Sequence, residues 1–187
     1  MKQARQAGYR SRAIFKLEEI QRSDRLIRPG MTIVDLGAAP GGWSQLAAKL
    51  LNGKGRIVAL DILPMDAIIG VDFLQGDFSS DEVLAELQQM LGDDRPQLVM
   101  SDMAPNTTGI ADVDHDRCMH LVELSLDFAR QRLAPGGDYL VKVFEGRDFQ
   151  PFVKQLRTSF KTVKVRKPPA SRQRSPELYL LARDFKS

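Results

Sequence analysis
Apolar residues in this chain fall in short blocks separated by longer stretches of periodic character. The blocks TIVDL (Thr32–Leu36), RIVAL (Arg56–Leu60), Val71–Leu74, QLVMS (Gln97–Ser101) and Tyr139–Phe144 predict five strands. Arg12–Ser23 carries Ala13, Ile14, Leu17 and Ile20 at helical spacing, with Ser11 as its expected N-cap. Further helices are predicted over Gly42–Leu51, Ser80–Leu91, Arg117–Arg132 and about Phe149–Phe160. Asp81 and Glu82 in the first turn of the second of these suit the helix dipole, and Pro135-Gly136-Gly137 stops the third. A loop is expected from Met103 to about His115, and a last strand pair over Thr162–Arg166 and Leu178–Ala182.

Strands that alternate with helices imply a mostly parallel sheet covered on both faces. The last two strands lack room for a crossover helix and must pair antiparallel. The expectation is an α/β, Rossmann-like, seven-stranded sheet with a terminal antiparallel hairpin and helices on both faces. All of residues 1–187 are assigned to one domain, with 1–28 as a basic helical segment packed on it.

Composition narrows the class. With 187 residues, 43% of them hydrophobic, the chain suits one α/β domain with a proper core. No apolar run approaches the ~20 residues of a membrane span, so no membrane partner is expected. The basic start MKQARQAGYRSR has no apolar core behind it and is not read as a secretory signal. One cysteine, Cys118, excludes an internal disulfide and a cysteine-rich zinc site, which fits a reducing cytoplasm.

The net charge of +3 hides a strong segregation. Lys2, Arg5, Arg10, Arg12, Lys16, Arg22, Arg25 and Arg28 crowd one end, and the RKPPASRQR run (Arg166–Arg174) lies near the other. Between Asp61 and Asp127 the only lysines or arginines are Arg95 and Arg117. Should the fold bring the two ends together, they form one face for a polyanion. Taken singly, each is most simply a solvated surface charge.

The first strand runs into a glycine turn, GAAPGG (Gly37–Gly42), that leads into a helix. Small residues let a backbone approach a ligand, and the helix start offers free N–H groups. The spacing is G-x-x-x-G-G rather than the G-x-G-x-x-G of dinucleotide sites, which points to S-adenosylmethionine. Ligands of such sheets sit beyond the carboxyl ends of the strands. There the sequence puts Gly41 and Trp43, then Asp61 for ribose hydroxyls, Asp77 for an adenine amine with Phe78 to flank the ring, and Asp102. Asp61 and Asp77 each have a plain alternative as turn or cap residues, and Trp43 as a core residue. Lys142 stands alone between Val141 and Val143 in a strand expected to be central, a costly place for a cation without a task.

The strings SRAIFKLEEI, VDLGAAPGGWSQ, QGDF, SDMAPN, LVKVF and RSPELYL occur in this order over nearly the whole chain. Together they resemble the FtsJ/RrmJ group of ribose 2′-O-methyltransferases, in particular its bacterial ribosomal RNA members. The resemblance implies a catalytic tetrad of Lys16, Asp102, Lys142 and Glu177, and a cofactor site of Gly41, Trp43, Asp61, Asp77 and Asp102. It implies S-adenosylmethionine as cofactor, no metal, and a uridine of ribosomal RNA on the assembled large ribosomal subunit as substrate. Members of that group carry a further basic segment ahead of the position of Lys2, a difference that bears on RNA affinity and not on chemistry.

Such a reaction needs an aligned hydroxyl and a proton acceptor. A lysine fills that role where a second ammonium, a cationic cofactor and partial burial favour its neutral form. Lys142 is therefore expected to orient and deprotonate the 2′-hydroxyl, and Lys16 to assist it or bind a phosphate. Asp102 would hold Lys142 beside the cofactor, and Glu177 would orient a lysine or the ribose. SDMAPN lacks the aromatic of base amino-methylating enzymes and favours an oxygen acceptor. Cys118, inside a helix, is read as structural, and His115 and His120 as non-catalytic and without convincing carboxylate partners. RNA is expected at Arg10, Arg12, Lys16 and the Arg172/Arg174 loop, and the protein is expected to be a monomer. A non-catalytic RNA-binding ribosome-assembly factor on the same scaffold is the alternative.

Overall fold
In the computed structural model, which describes residues 2–172 and 174–187, thirteen elements follow one another. They are α1 (Lys2–Gln6), α2 (Ala13–Asp24), β1 (Thr32–Leu36), α3 (Gly42–Leu51), β2 (Arg56–Asp61), β3 (Val71–Gln75) and α4 (Asp81–Leu91). After them come β4 (Leu98–Ser101), α5 (Ala111–Arg132), β5 (Asp138–Phe144), α6 (Phe149–Ser159), β6 (Phe160–Arg166) and β7 (Glu177–Phe185). The seven strands form one sheet in the order β3-β2-β1-β4-β5-β7-β6. All pairs up to β4·β5 are parallel, and β7 is antiparallel to both β5 and β6. This is the expected Rossmann-like sheet with its terminal hairpin, the last strand lying inside the sheet and β6 at the edge.

Strand alternation sorts the core into two layers. Val34, Leu36, Val58, Leu60, Tyr139, Val141, Val143 and Leu180 face α4, α5 and α6. Ile33, Ile57, Leu98, Met100, Leu140, Tyr179 and Leu181 face α2 and α3. Lys142 shares the parity of Leu140, and Glu177 that of Tyr179. The sheet therefore sends both toward the α2–α3 layer, at the end of the sheet where β5 stops and β7 starts.

Several boundaries differ from those expected. The helix placed at Arg117 begins at Ala111, inside the segment read as loop. Its first turns are the polar ADVDHD, which carry no apolar period. They are instead tied down by Asp114, whose carboxylate accepts from the Thr108 N–H, the Thr108 hydroxyl and the Gly109 N–H. Ser11 is not the N-cap residue of α2. Arg12 holds that position without a side-chain cap bond, and Ser11 Oγ accepts from the Ala13 N–H at 3.0 Å. β7 runs to Phe185, three residues past the expected stop at Ala182. No described helix is long and apolar enough to cross a membrane.

Candidate active site
The glycine turn hugs the start of the segment after β4. A Cβ on Gly37, at φ +79°, would lie 2.9 Å from the Met103 backbone, so only glycine fits this approach. The carboxylate of Asp61 spans two loops, its Oδ2 accepting from the Ala39 N–H and its Oδ1 from the Leu63 N–H, each at 2.9 Å. Beyond these strand ends opens a cavity of about 880 Å³ lined by Gly37, Ala39, Asp61, Gly76, Asp77, Phe78, Asp102, Pro105 and Asn106, among others. Its far wall is α5, through Val113, Asp116, Arg117, His120 and Leu121. That volume is within the range of small-molecule and cofactor pockets.

Asp77 and Phe78 also do structural duty. Asp77 Oδ1 accepts from the Ser79 N–H and hydroxyl, which holds its carboxyl below the usual carboxylate range. Phe78 packs edge-on to Phe128 in the core while contributing to the cavity wall. Trp43 departs from expectation. Its indole is buried against Tyr179, donates to the Ala13 carbonyl at 2.8 Å and does not line the cavity. Gly41 does not line it either; its α-carbon faces Ile68, Arg10 and Met65. At both positions a ligand would have to be met through the backbone, because α3 begins here and its first N–H groups lack helical partners.

The four residues of the expected tetrad converge from four elements. α2 brings Lys16, whose Nζ is 2.6 Å from Glu177 Oε1. The end of β4 brings Asp102, and β5 brings Lys142, whose Nζ donates to the Asp102 carbonyl at 3.3 Å and lies 3.4 Å from Oδ1. In the antiparallel register Lys142 is opposite Tyr179 and Phe144 opposite Glu177, which is why the start of β7 meets the end of β5. Tyr179 joins the halves: its hydroxyl is 3.0 Å from Asp102 Oδ1 and 3.3 Å from Glu177 Oε1. The expected strand began at Leu178 and left Glu177 outside it; because β7 starts at Glu177, the spacing of two puts Glu177 and Tyr179 on one face.

Burial and charge oppose each other in this cluster. Desolvation pushes the Asp102 carboxyl up, against the pull of Lys142, Tyr179 and Lys16. Burial acts likewise on Glu177, but the hydrogen bond and charge of Lys16, with Lys142 and Tyr179, outweigh it and hold its carboxyl low. The Tyr179 hydroxyl is pushed up by desolvation and by both carboxylates, so it remains a proton donor. Asp102 lines the large cavity, while Lys16 and Glu177 line a second one of about 260 Å³ with Arg12, Ala13, Ala170, Arg172 and Ser175. The cluster thus reaches both.

The basic face is thinner than its composition suggests. Arg166 is paired bidentately with the buried Asp24, and Lys167 donates to the carbonyls of Ser175 and Glu177, shaping the loop. Arg172 and Arg174 remain exposed. His115 does have a carboxylate partner, contrary to expectation: its Nε2 is 2.6 Å from Asp148 Oδ2. The two meet because α5 starts early and brings His115 against the β5–α6 loop, where Gly146 leaves room for the ring.

A family profile described as FtsJ-like methyltransferase matches residues 9–185. A protein of Dichelobacter nodosus (strain VCS1703A) named ribosomal RNA large subunit methyltransferase E is 60% identical over 183 residues, 97% of this chain and 87% of that protein. A Plasmodium falciparum structure described as a candidate ribosomal RNA methyltransferase superposes with TM-score 0.84 at 31% identity, over 95% of this chain and 98% of that one. A methyltransferase of the mycinamycin biosynthetic pathway, crystallised with SAH and Mg, shares the fold alone: 15% identity, TM-score 0.59, 95% of this chain and 49% of that one.

Proposed function
This chain belongs to the FtsJ-like methyltransferase family, and from that premise we propose that it methylates the ribose 2′-hydroxyl of a uridine in large-subunit ribosomal RNA, drawing on S-adenosylmethionine. The substrate in this reading is the assembled large ribosomal subunit, met in the cytoplasm by a monomeric enzyme. One observation carries it: an ionisable cluster touching two cavities, the larger suited to a nucleoside cofactor and the smaller edged by Arg12, Lys16 and Arg172.

The residues present fit the cofactor. Asp61 and Asp77 keep lone pairs free beyond their backbone bonds for ribose hydroxyls and an adenine amine. Leu60, Phe78 and Pro105 supply apolar walls, and Gly41 and Trp43 supply backbone at the start of α3. When bound, S-adenosylmethionine supplies a methyl group made electrophilic by its sulfonium.

The protein's part is alignment and proton removal. Lys142 is held by Asp102, which lines the large cavity, and from there its Nζ can orient the incoming hydroxyl and take its proton. Asp102, itself fixed by Tyr179, sets the position of Lys142. Lys16, bridged to Glu177, adds positive charge on the acceptor side, where Arg12 and Arg172 suit the flanking phosphates. A purely RNA-binding scaffold has no use for the near-buried Lys142, which weighs against the alternative.

The test is methyl transfer from labelled S-adenosylmethionine to large subunits lacking the modification, with Lys142→Ala in parallel and nucleosides identified by mass. Wild type is expected to make 2′-O-methyluridine and the variant almost none. Incorporation at a base atom, or near-normal turnover by Lys142→Ala, overturns the assignment.

A further inference from the structure
Arg10 is the best-connected residue of the basic N-terminal segment, and its partners are not those of a polyanion contact. Its Nη1 donates to the Pro40 carbonyl at 3.2 Å and to the Asp66 carbonyl at 2.6 Å, and its Nη2 to the Ala67 carbonyl at 2.9 Å. Its backbone N–H donates to Gln45 Oε1 of α3 at 3.0 Å. Gly41 lies directly against it: a Cβ there would be 3.2 Å from Nη1.

Pro40 belongs to the glycine turn, and Asp66 and Ala67 to the irregular loop between β2 and β3, whose first residues Ile62 and Leu63 line the cofactor cavity. Asp61 ties the same two segments from the other side through the N–H groups of Ala39 and Leu63. An anion gathers two N–H groups and a cation gathers three carbonyls, so the pair forms a cross-brace. Beyond Leu63 the brace has no substitute. Among the described residues, the only hydrogen bonds reaching the backbone of residues 64–67 come from Arg10.

We propose that Arg10 is a positioning residue of the cofactor site, holding the glycine turn and the β2–β3 loop in register, and is not an RNA contact. The inference rests on the reading of the large cavity as the cofactor site. It corrects the expectation, drawn from charge alone, that Arg10 touches RNA. Three of the five donors of this planar guanidinium, both on Nη1 and one on Nη2, are committed to carbonyls inside the protein, which fixes its plane between the two segments.

The experiment compares wild type, Arg10→Met and Arg10→Lys. Equilibrium binding of S-adenosylhomocysteine is measured, together with steady-state kinetics on large subunits and amide hydrogen exchange of the ligand-free proteins. Arg10→Met is expected to weaken S-adenosylhomocysteine binding and raise the KM for S-adenosylmethionine about tenfold. Its kcat at saturating cofactor and its KM for subunits should stay within about twofold, with the salt dependence of RNA affinity unchanged. Arg10→Lys, which keeps the charge and some donors, should recover part of the loss. The Leu63 and Val71 N–H groups, hydrogen-bonded at the two ends of the loop, should exchange faster in Arg10→Met without any ligand. The opposite result is clear: normal cofactor binding and normal exchange, with a raised subunit KM and a salt slope reduced by about one, make Arg10 an RNA contact. If wild type fails to bind S-adenosylhomocysteine, the cofactor reading falls, and the exchange data alone decide whether Arg10 holds the loop.

Discussion
Two ionic networks border the carboxyl end of β5, and they are built on opposite principles. Inside, Lys16, Glu177, Tyr179, Asp102 and Lys142 are linked through one hydroxyl, the Lys142 side chain only 10% and that of Asp102 18% exposed. Outside, three residues past the strand, Arg147 pairs with Asp112 and Asp116 and approaches Asp148, which also holds His115. The Arg147 side chain is 56% exposed and that of Asp112 87%. Burial makes the inner charges costly unless each is matched, whereas water and salt screen the outer ones. The inner network is therefore the costlier of the two to build, in keeping with the proposed chemistry. The outer one joins the first turns of α5 to the β5–α6 loop, and α5 forms one wall of the large cavity.

The sharpest way to break this contrast is Lys142→Met. Loss of a positioned proton acceptor should lower kcat by about 10²–10⁴-fold. It should also destabilise the protein increasingly as pH rises above the ordinary carboxylate range, since Asp102 is left buried beside Tyr179 with its nearest cation gone. Adding Asp102→Asn should restore stability without restoring activity. Urea titrations and single-turnover assays on the two variants check this. A double variant as unstable as the single one would mean that the inner network is held by packing rather than charge balance.

How much of this was legible beforehand depended on how local each signal is. The strands, the glycine turn and the terminal hairpin rest on short-range patterns, and the sheet has them where expected. The convergence of Lys16, Asp102, Lys142 and Glu177 was implied only by resemblance, because no spacing within one segment predicts that α2 meets β7 across 161 positions. The start of α5 escaped because its first turns are polar and held by side-chain bonds from Asp114. Arg10 and Trp43 show the same limit: charge and position suggest an outside partner, whereas only tertiary packing reveals the partners each side chain also has inside the protein.

A second test sharpens the rule that unmatched buried charge is costly. Asp35 lies on β1, wholly buried, with Oδ2 accepting from the Ser44 hydroxyl at 2.7 Å and Oδ1 without a partner among the described residues. Burial pushes its carboxyl up to about 7, with Asp102 and Asp61 adding to the rise. The folded state then binds a proton that the unfolded state has already lost. Stability is therefore expected to fall as pH rises from about 4 toward 7 and to level off above. Asp35→Asn keeps an acceptor for Ser44 and cannot ionise, so the wild-type minus variant difference should change by on the order of 2–4 kcal/mol across that window. Denaturant unfolding at four or five pH values measures it. A flat difference would mean that Asp35 stays ionised and that the interior around the glycine turn is wetter than its burial indicates.

The smallest effect should come from the outer network, where smallness is itself informative. Arg147→Ala removes the contacts to Asp112 and Asp116 but leaves no buried charge behind, because every group involved faces solvent. Tm should shift by no more than about 3 °C at low salt, and by less near 1 M salt, where the Debye length is about 3 Å. The anchor of α5 is then weakened without loss of the fold. Since Val113, Asp116 and Arg117 wall the large cavity, KM for S-adenosylmethionine should rise about two- to threefold while kcat is unchanged. High salt should bring wild type toward the variant, as it screens the same contacts. It should do nothing comparable for Lys142→Met, whose defect lies where ions do not reach. Equal salt sensitivity in the two variants would remove the distinction between the networks and put both under surface electrostatics.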